Sequence, residues 1–349
     1  MKNVLNPDVQ LREALIKLNS LIKGRGISTL FVVDSDLRLI GTITDGDIRR
    51  AILSGSNLEC SVSEVMQKDY SFIIKNSFEI GDIDIIKSKN IQFLPVLDNE
   101  RRIIKIINLK EIKTILPLSA VIIAGGEGKR LMPLTKDTPK PLLKVGTKPI
   151  IEHNIDRLIY FGIDNVCISI NYLGHQIVEY FGNGKAKGIN ISYVNEDKPL
   201  GTIGSITLNK NIETEYVLIT NSDLLTNIDY EDMFKTFIST NADLIVATTP
   251  FKVNVPYGIM HITEEERIVG LSEKPTYTYY SNAGIYIIKR EHLKHIPENG
   301  YFNATDLIEV MINLNYKVVN YKIRSYWLDI GMMEDYRKAQ DDIMHISLK

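Results

Sequence analysis

Cysteine is almost missing from this sequence: Cys60 and Cys167 are the whole supply in 349 residues. Two thiols can build neither a disulfide framework nor a zinc cluster, so reduced cysteines in a cytoplasm are the simplest expectation. An excess of one charge is missing too. A formal net charge of −2 offers no basic surface to a phosphate backbone, and nucleic acid is not an expected partner. Long apolar runs are also lacking, and none approaches the ~18 residues of a membrane span. The opening segment, Met1 to Leu15, has no long apolar core and no small-residue cleavage site, so neither a membrane anchor nor a secretory leader is expected. What remains is 44% hydrophobic and 24% charged, a globular composition in a chain long enough for two domains with separate cores.

The first third carries an internal repeat. Val9 to Ile22 sets Leu11, Leu15, Leu18 and Ile22 at helical spacing, which predicts a short amphipathic helix. Phe31 to Val33 then reads as a strand, Asp34 to Asp36 as a tight turn, Leu39 to Ile43 as a second strand, and Asp45 onward as a capped helix. The same arrangement returns at a constant offset, aligning Ile27 with Ile91, Val32 with Val96, Asp34 with Asp98, Arg38 with Arg102, Ile43 with Ile107 and Ile48 with Ile112. Between the copies Ser77 can cap a helix carrying Ile80, Ile83 and Ile86. Two copies of one small unit are expected to bury their faces against each other.

After Leu116-Pro117-Leu118, too short and apolar for a flexible linker, the pattern changes to strands alternating with helices. Val121 to Ala124, Val166 to Ile170, Ile189 to Val194 and Tyr216 to Thr220 read as strands. Ile150 to Tyr160 and Gly174 to Tyr180 read as helices, and Pro199 to Ser205 reads as a proline-glycine turn opening another, with a Thr202 cap. This rhythm implies a mostly parallel sheet with ligands at the C-terminal strand ends. There the chain places Ala124-Gly125-Gly126-Glu127-Gly128, whose backbone N–H groups can close on phosphate oxygens, followed by the cations Arg130 and Lys140. Asn221-Ser222-Asp223 follows another strand, and its carboxylate is the hard oxygen that Mg²⁺ requires.

The stretch from Ala120 to Ile150 resembles the opening motif of the sugar-1-phosphate nucleotidyltransferases, GT-A-like pyrophosphorylases, with Lys129 standing where that family usually has Thr. The resemblance continues almost to the C-terminus. It implies a Rossmann-like α/β catalytic domain over residues 118–349, with a mostly parallel mixed sheet. It implies that Ala124, Gly125, Gly126, Gly128, Pro199, Gly201 and Thr202 hold the nucleotide, and that Arg130, Lys140, Asp223 and Lys274 act in catalysis. It implies Mg²⁺ on Asp223 and Asp329, and the sugar on Gly258, Glu273, Lys274 and Asn282, from the Pro256 to Ile259, Leu271 to Pro275 and Ser281 to Tyr286 elements. Each element alone is an ordinary turn or exposed ion pair; the weight lies in five of them in family order. NTP and a sugar-1-phosphate are the implied substrates, with guanylyl transfer the first choice. Uridylyl or thymidylyl transfer to glucose-1-phosphate, or a non-catalytic nucleotide-sensing subunit, are the alternatives.

The repeat over residues 1–117, in copies of about 8–57 and 61–116, resembles a tandem pair of cystathionine-β-synthase (CBS) domains, a small α+β module, with the Ser61 to Met66 linker. That resemblance implies ribose contacts from Thr44 and Asp47 and an adenine nucleotide as ligand. In the second copy the matching positions are Asn108 and Glu111, with Lys105 for a glycine, so at most one site is expected intact. A packing module without ligand is the other reading, and a homo-oligomer is expected by analogy. The fusion itself resembles the glucosamine-1-phosphate guanylyltransferases of legionaminic-acid-type pathways, which implies that sugar.

Overall fold

A computed structural model describes residues 3–25, 28–75, 77, 80–89 and 91–348. They form two compact units, Met1–Ile115 and Leu116–Lys349.

The first unit holds two three-stranded sheets of one design. In each, a short strand runs parallel to the first arm of an antiparallel hairpin: Val4–Leu5 with Thr29–Val33 and Leu39–Thr44, then Ile73–Ile74 with Phe93–Leu97 and Ile103–Asn108. The two hairpins share a bulge at equivalent places, between Val32 and Val33 and between Val96 and Leu97. They also share a turn chemistry. Asp34 Oδ1 accepts the amides of Asp36 and Arg38 at 2.9 and 2.8 Å, and Asp98 Oδ1 accepts those of Glu100 and Arg102 at the same two distances. An aspartate that bonds amides two and four residues on folds the turn locally, which is why the repeat was legible as sequence. Phe31, Leu39, Phe93 and Leu97, two from each copy, form a shared buried cluster. Ile27 lies outside the described residues, as do residues 76, 78 and 79 beside the expected cap at Ser77. The helix that follows is Ile80–Ser88, with Ile86 buried.

The copies part after their last strands. In the first, Thr44 caps the helix Asp45–Leu53 in a reciprocal box with Asp47. In the second, the expected helix is absent. Residues 109–115 are turns and irregular chain, because the Asn108 side chain bonds the next turn: its amide donates to Glu111 at 2.8 Å and its side-chain oxygen accepts the Lys110 amide at 3.2 Å.

The second unit is built on a seven-stranded mixed sheet. Its spatial order is Asn190–Asn195, Asn165–Ile170, Leu118–Ala124, Tyr216–Asn221, Thr276–Lys289, Leu244–Asn254 and Val318–Lys322. The first four strands are mutually parallel, and Thr276–Lys289 runs antiparallel to both neighbours. Leu118–Ala124 is buried along nearly its whole length, as expected of an apolar, β-branched run between two parallel neighbours. Helix Ile150–Tyr160 buries Ile150, Ile151, Asn154, Ile155 and Leu158 on one face. The helix expected after Pro199 is only a 3₁₀ segment, Gly204–Leu208. Gly201 takes φ +76°, where a Cβ would fall 2.6 Å from the Phe302 carbonyl oxygen, and the Thr202 hydroxyl accepts the Ala304 amide at 2.7 Å, so it caps helix Ala304–Asn313 and not its own segment. Among the described residues no helix is long and apolar enough to cross a membrane.

Asp47 is 4% exposed and carries much of the first helix start. Burial pushes its carboxyl pKa up, but bonds from Thr44, Gln67 and Arg50 together outweigh it and hold the group below 3.8. Its stabilisation is therefore present above about pH 4 and lost as pH falls through the lowered value. Asp47→Asn is expected to cost about 1–2 kcal/mol at neutral pH, read from hydrogen exchange of helix Asp45–Leu53, with the difference from wild type closing in acid. A difference that persists unchanged in acid contradicts this.

Candidate active site

Strand register gathers the site. Ala124 pairs with Ile170, Ile170 with Asn195, and Ile123 with Asn221, so four parallel strands end along one edge of the sheet. The segments that follow, Gly125 to Gly128, Asn171, Glu196 and Ser222-Asp223, therefore face one another across a cleft of about 550 Å³. Pro199 to Thr202, Lys140, Tyr301 and Gly331 complete its walls.

The loop glycines have different reasons to be glycine. Gly128 adopts φ +64°, and a Cβ there would lie 2.9 Å from the Thr135 methyl and 3.0 Å from Lys140 Cβ. Thr135 Oγ1 donates to the Gly128 carbonyl at 2.9 Å, which fixes the loop against the segment carrying Lys140. Gly126 has nothing within 4 Å of its Cβ position, so its backbone is open to a ligand. Arg130 is exposed, with its guanidinium beside Gly331, while Lys129, also on the cleft wall, pairs with Glu127 at 2.9 Å.

Lys140, Asp223 and Asp329 make one charged cluster. Asp223 precedes the strand Leu224–Thr226, which pairs antiparallel with Trp327–Asp329, and the Ile330 amide donates to the Asp223 carbonyl at 3.0 Å. Two residues far apart in the chain thereby become neighbours. Lys140 is buried and donates to Asp223 Oδ2. Asp223 Oδ1 and Asp329 Oδ1 are buried with no partner. Burial first, and the Asp223 charge second, raise the Asp329 pKa, against the pull of Lys140 and Arg130. Among the described residues no group of three or more His, Cys, Asp or Glu side chains could enclose an ion. Asp223 lines the cleft and Asp329 is its neighbour, and their two orphaned carboxylate oxygens nevertheless fit Mg²⁺, which prefers one or two carboxylates and takes its remaining oxygens from phosphate and water.

The residues expected on the sugar divide. Gly258 and Glu273 are adjacent, with Glu273 Oε2 3.0 Å from the Gly258 Cβ position, but they and Lys274 are exposed on a hairpin outside the cleft walls. Asn282 lies closer in. Its Oδ1 accepts the Gly284 amide and the Tyr286 hydroxyl at 3.0 and 2.9 Å, and Gly284 rests on Asn221 of the cleft wall. In the first unit, Asp47 bonds Thr44 at 2.6 Å, Arg50 at 2.5 Å and Gln67 at 2.9 Å, so a ribose hydroxyl must displace one of these donors to reach it.

Among the cleft residues without a role expected from sequence, Glu196 and Tyr301 stand out. Glu196 is buried, accepting Ser169 Oγ at 2.7 Å and the Leu200 amide at 3.2 Å, with Oε1 3.0 Å from the Gly125 Cβ position. Its signal was an acid directly after a strand, on the edge where ligands bind. Tyr301 is 66% exposed on the cleft wall and belongs to no motif.

Comparison with known proteins gives a nucleotidyl transferase family match over residues 119–345 and a CBS domain match over residues 3–54. The D-glycero-α-D-manno-heptose 1-phosphate guanylyltransferase of Aneurinibacillus thermoaerophilus is 36% identical over 233 residues, covering 65% of this chain and 99% of that protein. The mannose-1-phosphate guanylyltransferase of Mycobacterium tuberculosis is 29% identical over 232 residues, 65% of each. A solved Bacillus anthracis candidate glucose-1-phosphate thymidylyltransferase in complex with sucrose shares the fold, with TM-score 0.54 and 23% identity over 66% of this chain and 96% of that one.

The raised Asp329 pKa has a sign that can be tested. The folded state holds that proton more tightly than the unfolded one, so the contribution to stability is present below 3.8 and lost as pH rises through the folded value. At neutral pH the metal-free protein bears that loss. Asp329→Asn is expected to raise the metal-free Tm by about 2–4 °C and to abolish the rise that millimolar Mg²⁺ gives wild type. A lower Tm, or a Mg²⁺ shift that survives, contradicts the assignment.

Proposed function

This chain belongs to the nucleotidyl transferase family, and from that premise we propose that it transfers guanylyl from GTP to a hexose-1-phosphate, glucosamine-1-phosphate first, releasing pyrophosphate. The observation that carries the reading is the Lys140–Asp223–Asp329 cluster beside an open glycine loop. A sugar-1-phosphate is already an anionic nucleophile, so no general base is needed. One of its phosphate oxygens attacks the α-phosphorus of the NTP, the bond from that phosphorus to the bridging oxygen breaks, and the electron pair leaves with pyrophosphate.

The chain's own residues bring two anions together. Gly125 to Gly128 offer backbone amides to the triphosphate, and Arg130 and Lys140 stabilise charge growing on the departing phosphates. Asp223 and Asp329 would hold Mg²⁺, which would supply charge screening of the reacting phosphates. Asn282 lies at the sugar end, and closing of Gly258, Glu273 and Lys274 onto the sugar belongs to the same proposal.

Glu196 supports guanine. A carboxylate accepts two adjacent N–H donors, and guanine presents N1–H and the 2-amino group side by side. Uracil and thymine set one N–H between carbonyl oxygens, which a carboxylate repels. The relatives named for guanylyl transfer agree with this choice. For the first unit, the CBS match supports an adenine nucleotide at Thr44 and Asp47 that adjusts the rate.

Pyrophosphate release, measured over GTP, UTP, dTTP, CTP and ATP against glucosamine-, N-acetylglucosamine-, mannose-, glucose- and heptose-1-phosphates, is expected to require GTP and to be fastest with glucosamine-1-phosphate. UTP or dTTP with glucose-1-phosphate as the sole productive pair overturns the base and sugar, and no productive pair overturns the enzyme in favour of a sensing subunit. Lys140→Met is expected to lower kcat by roughly 10²–10³-fold. Glu196→Gln is expected to lower kcat/KM for GTP by roughly 10- to 100-fold while leaving the KM for the sugar phosphate unchanged. AMP, added to the full chain, is expected to change the GTP rate; an unchanged rate removes the regulatory role.

A further inference from the structure

Two buried hydroxyls stand behind Glu196 and have no part in the charged cluster. Ser169 lies on strand Asn165–Ile170, between the buried Ile168 and Ile170, and pairs in register with Val194. Ser205 lies in the 3₁₀ segment Gly204–Leu208, between the buried Gly204 and Ile206. Both serines are 0% exposed, and their neighbours Cys167, Val194 and Ile206 belong to one apolar core cluster. A hydroxyl in such surroundings costs free energy unless it is hydrogen-bonded, so two of them together call for a reason.

Proton counting gives the pair a direction. Ser169 Oγ is 2.7 Å from Glu196 Oε1 and 2.8 Å from Ser205 Oγ. A carboxylate accepts and does not donate, and a hydroxyl has one proton. Ser169 therefore gives its proton to Glu196 and accepts that of Ser205. The result is a one-way chain from Ser205 through Ser169 to the carboxylate, in which each bond polarises the next. On the other side, Glu196 Oε2 accepts the Leu200 amide at 3.2 Å. The backbone is held as well: the Glu196 carbonyl accepts the Asn171 side-chain amide at 2.8 Å, and its amide donates to the Ile170 carbonyl at 3.0 Å. Each carboxylate oxygen thus has one protein donor and a lone pair left over.

We propose that Ser169 and Ser205 are positioning residues for nucleobase selection: their hydroxyl chain fixes the Glu196 carboxylate in the plane that pairs with both guanine N1–H and the 2-amino group. This rests on guanylyl transfer as the reaction and on Glu196 as the reader of the base. Neither serine lines the cleft, so both act through Glu196 and not on the substrate. Without Ser169 the carboxylate loses the donor on Oε1, turns about its last torsion, and meets one N–H but not two. Ser205 acts only by aiming the Ser169 proton, so its effect is smaller and disappears when Ser169 is gone.

Inosine triphosphate is the probe, because hypoxanthine keeps N1–H and lacks the 2-amino group. Pyrophosphate release from GTP and from ITP, with the best sugar phosphate held saturating, is compared for wild type, Ser169→Ala, Ser205→Ala and the double variant. Wild type is expected to prefer GTP by roughly 10- to 100-fold in kcat/KM, the scale of one hydrogen bond to a charged group. Ser169→Ala is expected to remove most of that preference by raising the KM for GTP, with kcat unchanged. Ser205→Ala is expected to fall between, and the double variant to match Ser169→Ala, because members of one chain are not additive. Ser205→Ala, the more distant change, decides the matter by its own GTP-to-ITP ratio if Ser169→Ala does not fold. Variants that lose GTP and ITP alike and keep the wild-type ratio overturn the proposal and leave guanylyl transfer standing, as do additive effects of the two serines. A wild type that does not use GTP, or uses ITP equally well, overturns the reading of the base and this proposal with it.

Discussion

Two half-buried carboxylates meet across one strand pair, where charge is costly without a cation beside it, and the second unit is organised around that constraint. Asp223 and Asp329 are joined by the pairing of Leu224–Thr226 with Trp327–Asp329. In the ligand-free chain Lys140 supplies the only direct cationic contact described for Asp223, and one oxygen of each aspartate stays unpartnered. Such an arrangement is costly in a resting fold and useful where phosphate charge must be met. The Thr135 bond and the 3₁₀ segment Lys140–Leu142 hold that cation against the glycine loop.

The sheet supplies the other half of the geometry. Because Leu118–Ala124 lies in register with both parallel neighbours, strand ends distant in sequence finish on one edge. Loops leaving that edge need only a few residues to reach the cleft, so the site rests on a strand buried along nearly its whole length. Asn154 adds a tie from helix Ile150–Tyr160, its amide donating to the Ser222 carbonyl at 3.3 Å, one residue before Asp223.

Local chemistry was legible in the sequence, and long-range chemistry was not. The Asp34 and Asp98 turns could be read because each aspartate bonds amides within four residues of itself. Strands and helices of the α/β unit followed from periodicity, with Ile150–Tyr160 at its expected bounds. The helix after Pro199 failed because its Thr202 cap bonds Ala304, about a hundred residues on, and the second repeat lost its helix to an Asn108–Glu111 bond. Glu196 was overlooked because its burial depends on Ser169 from a neighbouring strand. The meeting of Asp223 with Asp329 rested on family resemblance alone, since no spacing rule joins them.

The most direct measurement of the central claim is the number of Mn²⁺ ions bound per chain in the presence of GTP, counted by electron paramagnetic resonance. The account predicts a bound ion in wild type that is lost from the Asp223→Asn, Asp329→Asn double variant while GTP still binds. An ion retained at full occupancy in that variant would contradict it.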